Sequence, residues 1–349
     1  GLRFLEGLSM QGKRIMQTQK SYSDKGNSTD YSLHIPVMLE QLCKLASTIR
    51  PMTLYIDCTI GAGGHAEALL KEYEELRCIG IDADPDACNR ASERLKPFAD
   101  RLSIINGYYD EVLSEIRNKR ASYRFPGNVS SCLCNEKGEL RPSLIFFDLG
   151  LSMYQLKSSG KGFSFYADEP LDMRFSPSAQ YTAEELVNQL PETKLANEIF
   201  KYGEERFSRQ IAHAIVETRK KEYIHTSSQL ASIIYDAVHV KYRNGRIHPA
   251  TRTFQALRIL VNDELNRLER ACIDALELLG PGAVCAVITF HSLEDRIIKH
   301  IFAEKAKNSQ FSLEWKKPVT PTEEELRNNP SSRSAKFRAI RANDREAQI

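Results

Sequence analysis

Three apolar runs, each closing on an aspartate, constrain this chain more than anything else in it. They are LYIDCT (Leu54–Thr59), LRCIGIDADPD (Leu76–Asp86) and LIFFDLG (Leu144–Gly150). Between and after them lie helix-forming stretches, HAEALLKEYEE after the first and Asp86–Leu95 after the second. RLSIINGYYD (Arg101–Asp110) then reads as strand and loop. Strands separated by helices, with unbroken rather than alternating apolar character, predict a mostly parallel sheet covered on both faces. The aspartates Asp57, Asp82 and Asp148 then mark the carboxyl ends of strands, the rim where open α/β sheets bind ligands.

The alternation stops after Gly150. Leu151 to about Gln180 is rich in glycine, serine and aromatics, and Thr182–Leu279 reads almost entirely as helix, with Thr182 and Glu185 spaced as a capping box. Its last segment, TFQALRILVNDELNRLERACIDALELL (Thr253–Leu279), reads as one unbroken helical run. A strand returns at AVCAVITFH (Ala283–His291) after the Pro281-Gly282 turn. The expected fold class is α/β, a Rossmann-like core with a mostly helical domain inserted after the fourth strand. The expected divisions are a flexible extension over 1–30, core over 31–165, helical insert over 166–275, and the rest of the core with a basic tail over 276–349. The proline- and asparagine-rich PVTPTEEELRNNPSSRSAKFRAI (Pro318–Ile340) reads as tail laid on the surface.

Hydrophobic residues make up 42% and charged residues 27% of the 349, with a net charge of +2. Any affinity for nucleic acid must therefore come from local asymmetry rather than from the total. No run approaches the roughly 20 apolar residues of a membrane span, and the N-terminus has positive charge without the apolar segment of a secretory signal. Of eight cysteines only Cys132 and Cys134 sit close together, without a second pair or histidine to complete a zinc site. No metal is expected, and the thiols read as free in a reducing compartment.

Gly61, Gly63 and Gly64 in GAGGHA match a loose dinucleotide fingerprint, with Asp82 near the offset for a ribose hydroxyl. The surroundings favour a different cofactor. Asp57 just before the turn repels a pyrophosphate but suits a cationic sulfonium, and Asp148 adds a second carboxylate. Ala83-Asp84 after Asp82 offers nothing basic to a 2′-phosphate. S-adenosylmethionine is the better fit, and a nicotinamide-linked reductase is an alternative.

Methyl transfer is an in-line displacement that needs an aligned nucleophile and an acceptor for its proton. Asp148, followed by Gly150, can supply acceptors to a base amine or simply hold the cofactor. Asp172 and Arg174 in EPLDMRF lie in the loop after the fourth strand, as catalytic and substrate-binding groups or as a pair that pins the loop. Phe163 and Phe165 in GKGFSF stack a base or anchor that loop. His291 in TFHSLEDR emerges at the same rim, as proton acceptor or substrate contact, while Ser292 with Asp295 three positions on reads as a helix cap.

Between Lys201 and Leu260 there are 11 Lys/Arg against 5 Asp/Glu, a local net charge of +6. KYRNGRIHPATR is the densest part and reads as a loop against a phosphate backbone. Arg174, Arg246, His248, Arg252, Arg333 and Lys336 are the candidate substrate contacts.

Together these segments resemble the bacterial enzymes that methylate N4 of a cytidine in small-subunit ribosomal RNA, a family with mitochondrial relatives. The resemblance runs from HIPVMLEQ at His34 to SSRSAKFRAI. It is carried by DCTIGAGGH, IGIDADPDA, FFDLGLSMYQL with GKGFSF and PLDMRF, YGEERFSRQIAHAI, and HPATRTFQALRILVNDEL followed by ITFHSLEDR. It implies a Rossmann-like core with a helical insertion and S-adenosylmethionine as donor. Gly63, Gly64 and His65 would line the donor pocket, Asp82 would bind the ribose, and Tyr109, Asp148 and Gln155 would complete the shell. The substrate would be a cytidine of the decoding region, presented within an assembling small subunit to a cytoplasmic monomer or homodimer.

Three positions depart from the family pattern. Met153-Tyr154 replaces Ser-Pro, Tyr109 replaces phenylalanine, and Ala62 replaces the arginine common in bacterial members. The family also lacks the D-P-P-Y-like motif of other amine methyltransferases, with DLGL in its place. Methylation of another RNA or DNA base, or a non-catalytic role in ribosome assembly, are the further alternatives.

Overall fold

The computed structural model describes residues 35–119, 140–243, 245 and 247–343. The expectations for residues 1–30, for Cys132 and Cys134 and for Arg246 lie outside these described residues.

Chain order after helix α1 (Leu39–Ala46) follows the sequence pattern. Strand β1 (Leu54–Asp57) leads to α2 (Gly64–Glu72), β2 (Arg77–Asp82) to α3 (Pro85–Arg94), and β3 (Leu102–Asn106) to α4 (Tyr109–Asn118). β4 (Leu144–Asp148) is followed by the short α5 (Met153–Lys157). Six helices come next: α6 (Ala183–Gln189), α7 (Glu192–Gly203), α8 (Ser208–Arg219), α9 (Ser227–Ala237), α10 (Val240–Arg243) and α11 (Ala250–Asn262). α12 (Glu264–Leu278) then returns the chain to β5 (Val284–Thr289). α13 (Ser292–Lys305), β6 (Phe311–Leu313), α14 (Glu323–Asn328) and β7 (Lys336–Ala342) complete the described chain.

The seven described strands form one sheet in the order β3-β2-β1-β4-β5-β7-β6. β1 to β5 are parallel, with Ile56 opposite Ile79 and Ile145, and β7 runs antiparallel between β5 and β6. Alternate residues pass to opposite faces, the period of a strand. Tyr55, Phe146, Ala286 and Phe337 face the layer of α1, α2 and α3. Ile56, Phe147, Val287 and Ile340 face α4, α12 and α13. This is a Rossmann-like α/β fold.

Two regions differ from their sequence reading. Lys336–Ala342 is not surface tail: Phe337 and Ile340 are wholly buried in the sheet. Its basic residues are all paired: Lys336 and Arg338 with Asp295 on α13, and Arg341 with Glu314. The run Thr253–Leu279 is broken at Asp263, which takes the left-handed conformation (φ 51°). Aspartate tolerates that region better than most residues.

The break separates two cores. α6 to α11, with the loop residues Phe163, Leu171 and Met173, close a helical core of their own that ends at Val261. Beyond it, Leu268, Ala271, Cys272 and Ala275 of α12 pack on the sheet side with α4. Asp110 of α4 holds Arg267 and Arg270 at 2.7 and 2.8 Å. The boundary drawn at 275 in the sequence therefore falls inside a helix that packs on the sheet. The capping box of α6 forms between Thr182 and Glu185.

Candidate active site

The turn after β1 builds the first wall of the site. Gly61 and Gly63 take positive φ (54° and 79°), which glycine adopts without penalty. The Gly61 N–H donates to Asp82 Oδ2 at 2.9 Å, and the Asp84 N–H donates to Asp82 Oδ1 at 2.9 Å. Asp82 is thus aimed over the ends of β1 and β2. A cleft opens there, at the rim where open α/β sheets bind their ligands. Gly61, Asp82, Tyr109, Asp148 and Gln155 line it.

Gly63, Gly64 and His65 do not line this cleft. Gly63 lets the start of α2 approach Leu95 and Ala91, and a Cβ on Gly64 would meet Pro36 Cγ at 2.5 Å. The glycines therefore serve close packing of the α2 N-terminus, and that N-terminus is not presented to the cleft as a pyrophosphate would require. The one basic residue among the described lining, Arg267, is already engaged by Asp110 and Glu111. The residues present fit a sulfonium cofactor with ribose hydroxyls, an apolar floor from Ala87 and Leu149, and no phosphate.

Burial sets the electrostatics. Asp148 is pushed up to about 7 by burial, with the Gly150 N–H opposing and the Glu294 charge adding to the rise. Asp57 is pushed up to about 6, burial outweighing His65, the Tyr55 hydroxyl at 2.8 Å and the Thr59 N–H. Asp82 reaches about 6 by burial, its backbone hydrogen bonds pulling the other way. Asp57 lies behind the wall rather than in it, 1% exposed. His65 is held low by burial. Its Nε2 sits 2.9 Å from the Val37 carbonyl, which can only accept, so the neutral ring turns a bare Nδ1 toward Asp148 Oδ2 at 3.8 Å.

Opposite Asp148 stand two carboxylates that the sequence reading did not single out, Glu264 and Glu294. His291, expected at the rim, is instead the N-cap of α13 and does not line the cleft. Its Nε2 lies 2.9 Å from Glu294 Oε1, while Glu294 Oε2 accepts the Phe290 N–H at 2.8 Å. Ser292 is not the cap, since its hydroxyl donates to Glu204 on the helical domain. The capping-box spacing from His291 to Glu294 was the available signal, hidden because histidine is an uncommon cap.

Glu264 follows the Asp263 break and takes a bidentate pair from buried Arg258 at 2.8 and 2.9 Å. Glu264, His291 and Glu294 bring potential ligand atoms within 4.8 Å of one another. Arg258 already supplies the cation that Glu264 needs, so the group is complete as an ion-pair network.

Asp172 and Arg174 do not reach the cleft wall. They pair side chain to side chain at 2.7 and 2.9 Å. Burial of the Asp172 carboxyl is outweighed by the guanidinium and its backbone N–H, which hold it below the ordinary range. Asn262 pins the same loop, accepting the Phe175 N–H at 2.8 Å and donating to the Met173 carbonyl at 2.8 Å, and Phe175 lines the cleft. Gln155 closes a capping box with Ser152 at the cleft edge. Beside it the Tyr154 ring lies under the Arg90 guanidinium at 3.7 Å, so this departure from the family pattern leaves the loop anchored.

The candidate substrate contacts divide between the helical domain and the last part of the sheet. At the start of α11, His248 Nδ1 accepts the Ala250 N–H and Arg252 donates to the Glu204 carbonyl. Arg333 is exposed on a 3₁₀ turn, whereas Lys336 is engaged by Asp295 on the sheet.

The chain is similar to known proteins along most of its length. A family model for the MraW methylase family matches residues 31–343. Ribosomal RNA small subunit methyltransferase H of Treponema denticola is 42% identical over 327 residues, covering 89% of this chain and 98% of that protein. Its namesake from Persephonella marina is 42% identical over 308 residues, covering 88% and 98%. A crystal structure of an rRNA methylase from Streptococcus thermophilus, 9% identical over 87% of this chain and 95% of that one, superposes with a TM-score of 0.39, too loosely to argue from. With a match that spans nearly every described residue, the chain belongs to the MraW methylase family.

Proposed function

We propose that this chain transfers the methyl group of S-adenosylmethionine to the exocyclic N4 of a cytidine in small-subunit ribosomal RNA. The observation that carries the reading is a partly buried Asp148 at the end of β4, in one cleft with Asp82 and Glu294, in a chain of this family.

S-adenosylmethionine supplies an electrophilic methyl on a cationic sulfonium. Asp82, held by two backbone N–H groups, keeps lone pairs for the ribose hydroxyls. Tyr109, fixed edge-on against Phe147 at 5.5 Å, and Leu149 wall the apolar part. Asp148 accepts an N–H from the incoming amine, which lets the nitrogen lone pair leave conjugation with the ring and point at the methyl. A carboxyl near 7 is poised to take the proton that the amine loses. Glu294, fixed by the Phe290 and His291 N–H groups, orients the amine from the other side and disfavours a second negative charge on Asp148. Asp172 and Arg174 act as loop-positioning residues, and His291 positions Glu294.

The helical domain, taken on its packing as ending near Asn262, presents the RNA, with Arg252 and Arg333 on phosphates. Substrate presentation within an assembling small subunit, a cytoplasmic location and a monomeric or homodimeric enzyme complete the reading. No described helix is long and apolar enough to cross a membrane.

The test offers labelled S-adenosylmethionine and 16S-type rRNA, naked and in small subunits lacking the modification, and identifies the labelled nucleoside by mass. N4-methylcytidine that disappears in Asp148→Ala supports the reading. Label on another base overturns the target, and no label in either form overturns the activity.

A further inference from the structure

A column of rings lies on the helical domain, apart from the residues that line the catalytic cleft. At its base, Phe165 meets buried Phe254 edge-on at 5.2 Å. The His248 ring stacks on Phe165 at 4.5 Å and 24°. Tyr235 continues on the far side of His248 at 6.0 Å and 24°, and the Arg243 guanidinium lies over Tyr235 at 4.8 Å. Tyr166 leans on Phe165 at 4.7 Å.

The column is anchored but open. His248 is oriented by the Ala250 N–H on its Nδ1, and Arg243 by the carbonyls of Val238 and Asp236. Yet Tyr166 is 86% exposed and Tyr235 is 38% exposed. A large aromatic held in place with its face in water is a costly way to pin a loop that Phe163, Phe165 and Asn262 already hold.

Cations alternate with these rings. α10 carries Lys241, Tyr242 and Arg243 on one short turn. Arg243 serves the column, while Tyr242 takes Arg206 over its ring at 5.2 Å. The nearby acids are Asp236, 3.9 Å from Arg243, Asp168, hydrogen-bonded by Ser228, and buried Glu205, which accepts the Tyr242 hydroxyl. They leave the 201–260 segment strongly positive, as its sequence requires. Interleaved cations and aromatic faces suit one kind of polymer, a nucleic-acid strand whose bases are unpaired.

We propose that this column is a stacking platform for unpaired RNA bases beside the target cytidine, with the exposed Tyr166 ring as its base-binding face and Tyr235, held between His248 and Arg243, as its support. The proposal rests on the RNA-methylating reading. The connection to the cleft is short. Phe163 stacks on Phe175 at 5.4 Å and Phe175 lines the cleft, while Phe165, two residues along the same loop, belongs to the column. Two residues of extended chain span about 7 Å, roughly the reach of one or two nucleotides. A strand held on the platform therefore places a neighbouring base at the cleft mouth, and the enzyme selects single-stranded RNA by its faces rather than by base edges.

The test measures binding of a short fluorescent single-stranded RNA to the full chain, with a duplex of the same sequence as control. Tyr166→Ala is expected to weaken single-strand binding about tenfold. Tyr166→Phe, which keeps the π face, is expected to bind as the parent does. An affinity of Tyr166→Ala within twofold of the parent overturns the platform. Photocrosslinking of the parent chain to 5-iodouridine RNA gives a readout that does not depend on variant folding. Crosslinks at Tyr166 support the proposal, and crosslinks confined to other surfaces overturn it. The methyl-transfer assay, run in parallel, separates the two readings. Turnover with indifferent tyrosine variants sinks the platform alone, and stacking-dependent binding without turnover sinks the activity alone.

Discussion

His65 Nδ1 stands 3.8 Å from Asp148 Oδ2, with its Nε2 committed to the Val37 carbonyl. A neutral imidazole therefore backs the carboxyl without supplying the positive charge that would hold Asp148 ionised, and burial is free to raise it toward 7.

The first prediction concerns turnover and pH. Asp148 is protonated below its midpoint and can take up the proton that the amine loses only above it. With both substrates saturating, methyl transfer should rise with pH through a midpoint near 7. Asp148→Asn should lower kcat by about 10²-fold or more and remove that midpoint. A pH–rate profile of both proteins checks it.

The same carboxyl costs stability when ionised. Its folded-state value lies above the ordinary carboxylate value, so it favours the fold at low pH. That contribution is lost as pH rises from about 4 through about 7. Asp148→Asn should then raise Tm more at pH 8 than at pH 5. The gain at pH 8 should be about 1–2 kcal/mol, moderated because the side chain retains some contact with water. Thermal unfolding at the two pH values decides it.

Asp82 faces the donor half of the cleft and touches no predicted RNA contact. Asp82→Ala should weaken S-adenosylmethionine binding about tenfold to a hundredfold while leaving RNA affinity unchanged, because it removes a charged acceptor from buried hydroxyl donors. Calorimetric titration with each ligand measures both.

Arg258 and Glu264 form a buried bidentate pair under the cleft. Arg258→Ala should destabilise the fold by about 3–5 kcal/mol, since it strands the Glu264 charge. Arg258→Met with Glu264→Gln should recover much of that loss. Urea denaturation of the two single variants and the double variant, read as a cycle, checks it.

Gly150 allows β4 to end against the Phe290 ring, where a Cβ would come within 2.8 Å of two ring carbons. Gly150→Ala should cost about 1–3 kcal/mol by overpacking and displace the Asp148 carboxyl that accepts the Gly150 N–H. The kcat should fall by more than the donor affinity changes, which steady-state kinetics with donor titration resolves.

Much of this molecule was legible from residues alone. The apolar runs at 54–59, 76–82 and 144–148, each followed by helix signals, determined an α/β sheet interrupted after its fourth strand. The aspartates at their ends marked the rim where Asp82 and Asp148 now line one cleft. These are local signals, since apolar runs, caps and turn residues act over a few positions along the chain.

Only the tertiary structure decided which other groups reach that rim. Glu264 and Glu294 enter the cleft, while Asp172 and His291 turn aside to Arg174 and to the cap of α13. It also decided that Lys336–Ala342 is a strand between β5 and β6, and that α12 packs on the sheet rather than in the helical domain. Each outcome depends on partners far away in the chain, Asp295 for Lys336 and Arg338, Asp110 for Arg267. Burial makes such pairings cooperative: a carboxylate joins a site only where the surrounding fold has excluded water and left its charge a partner.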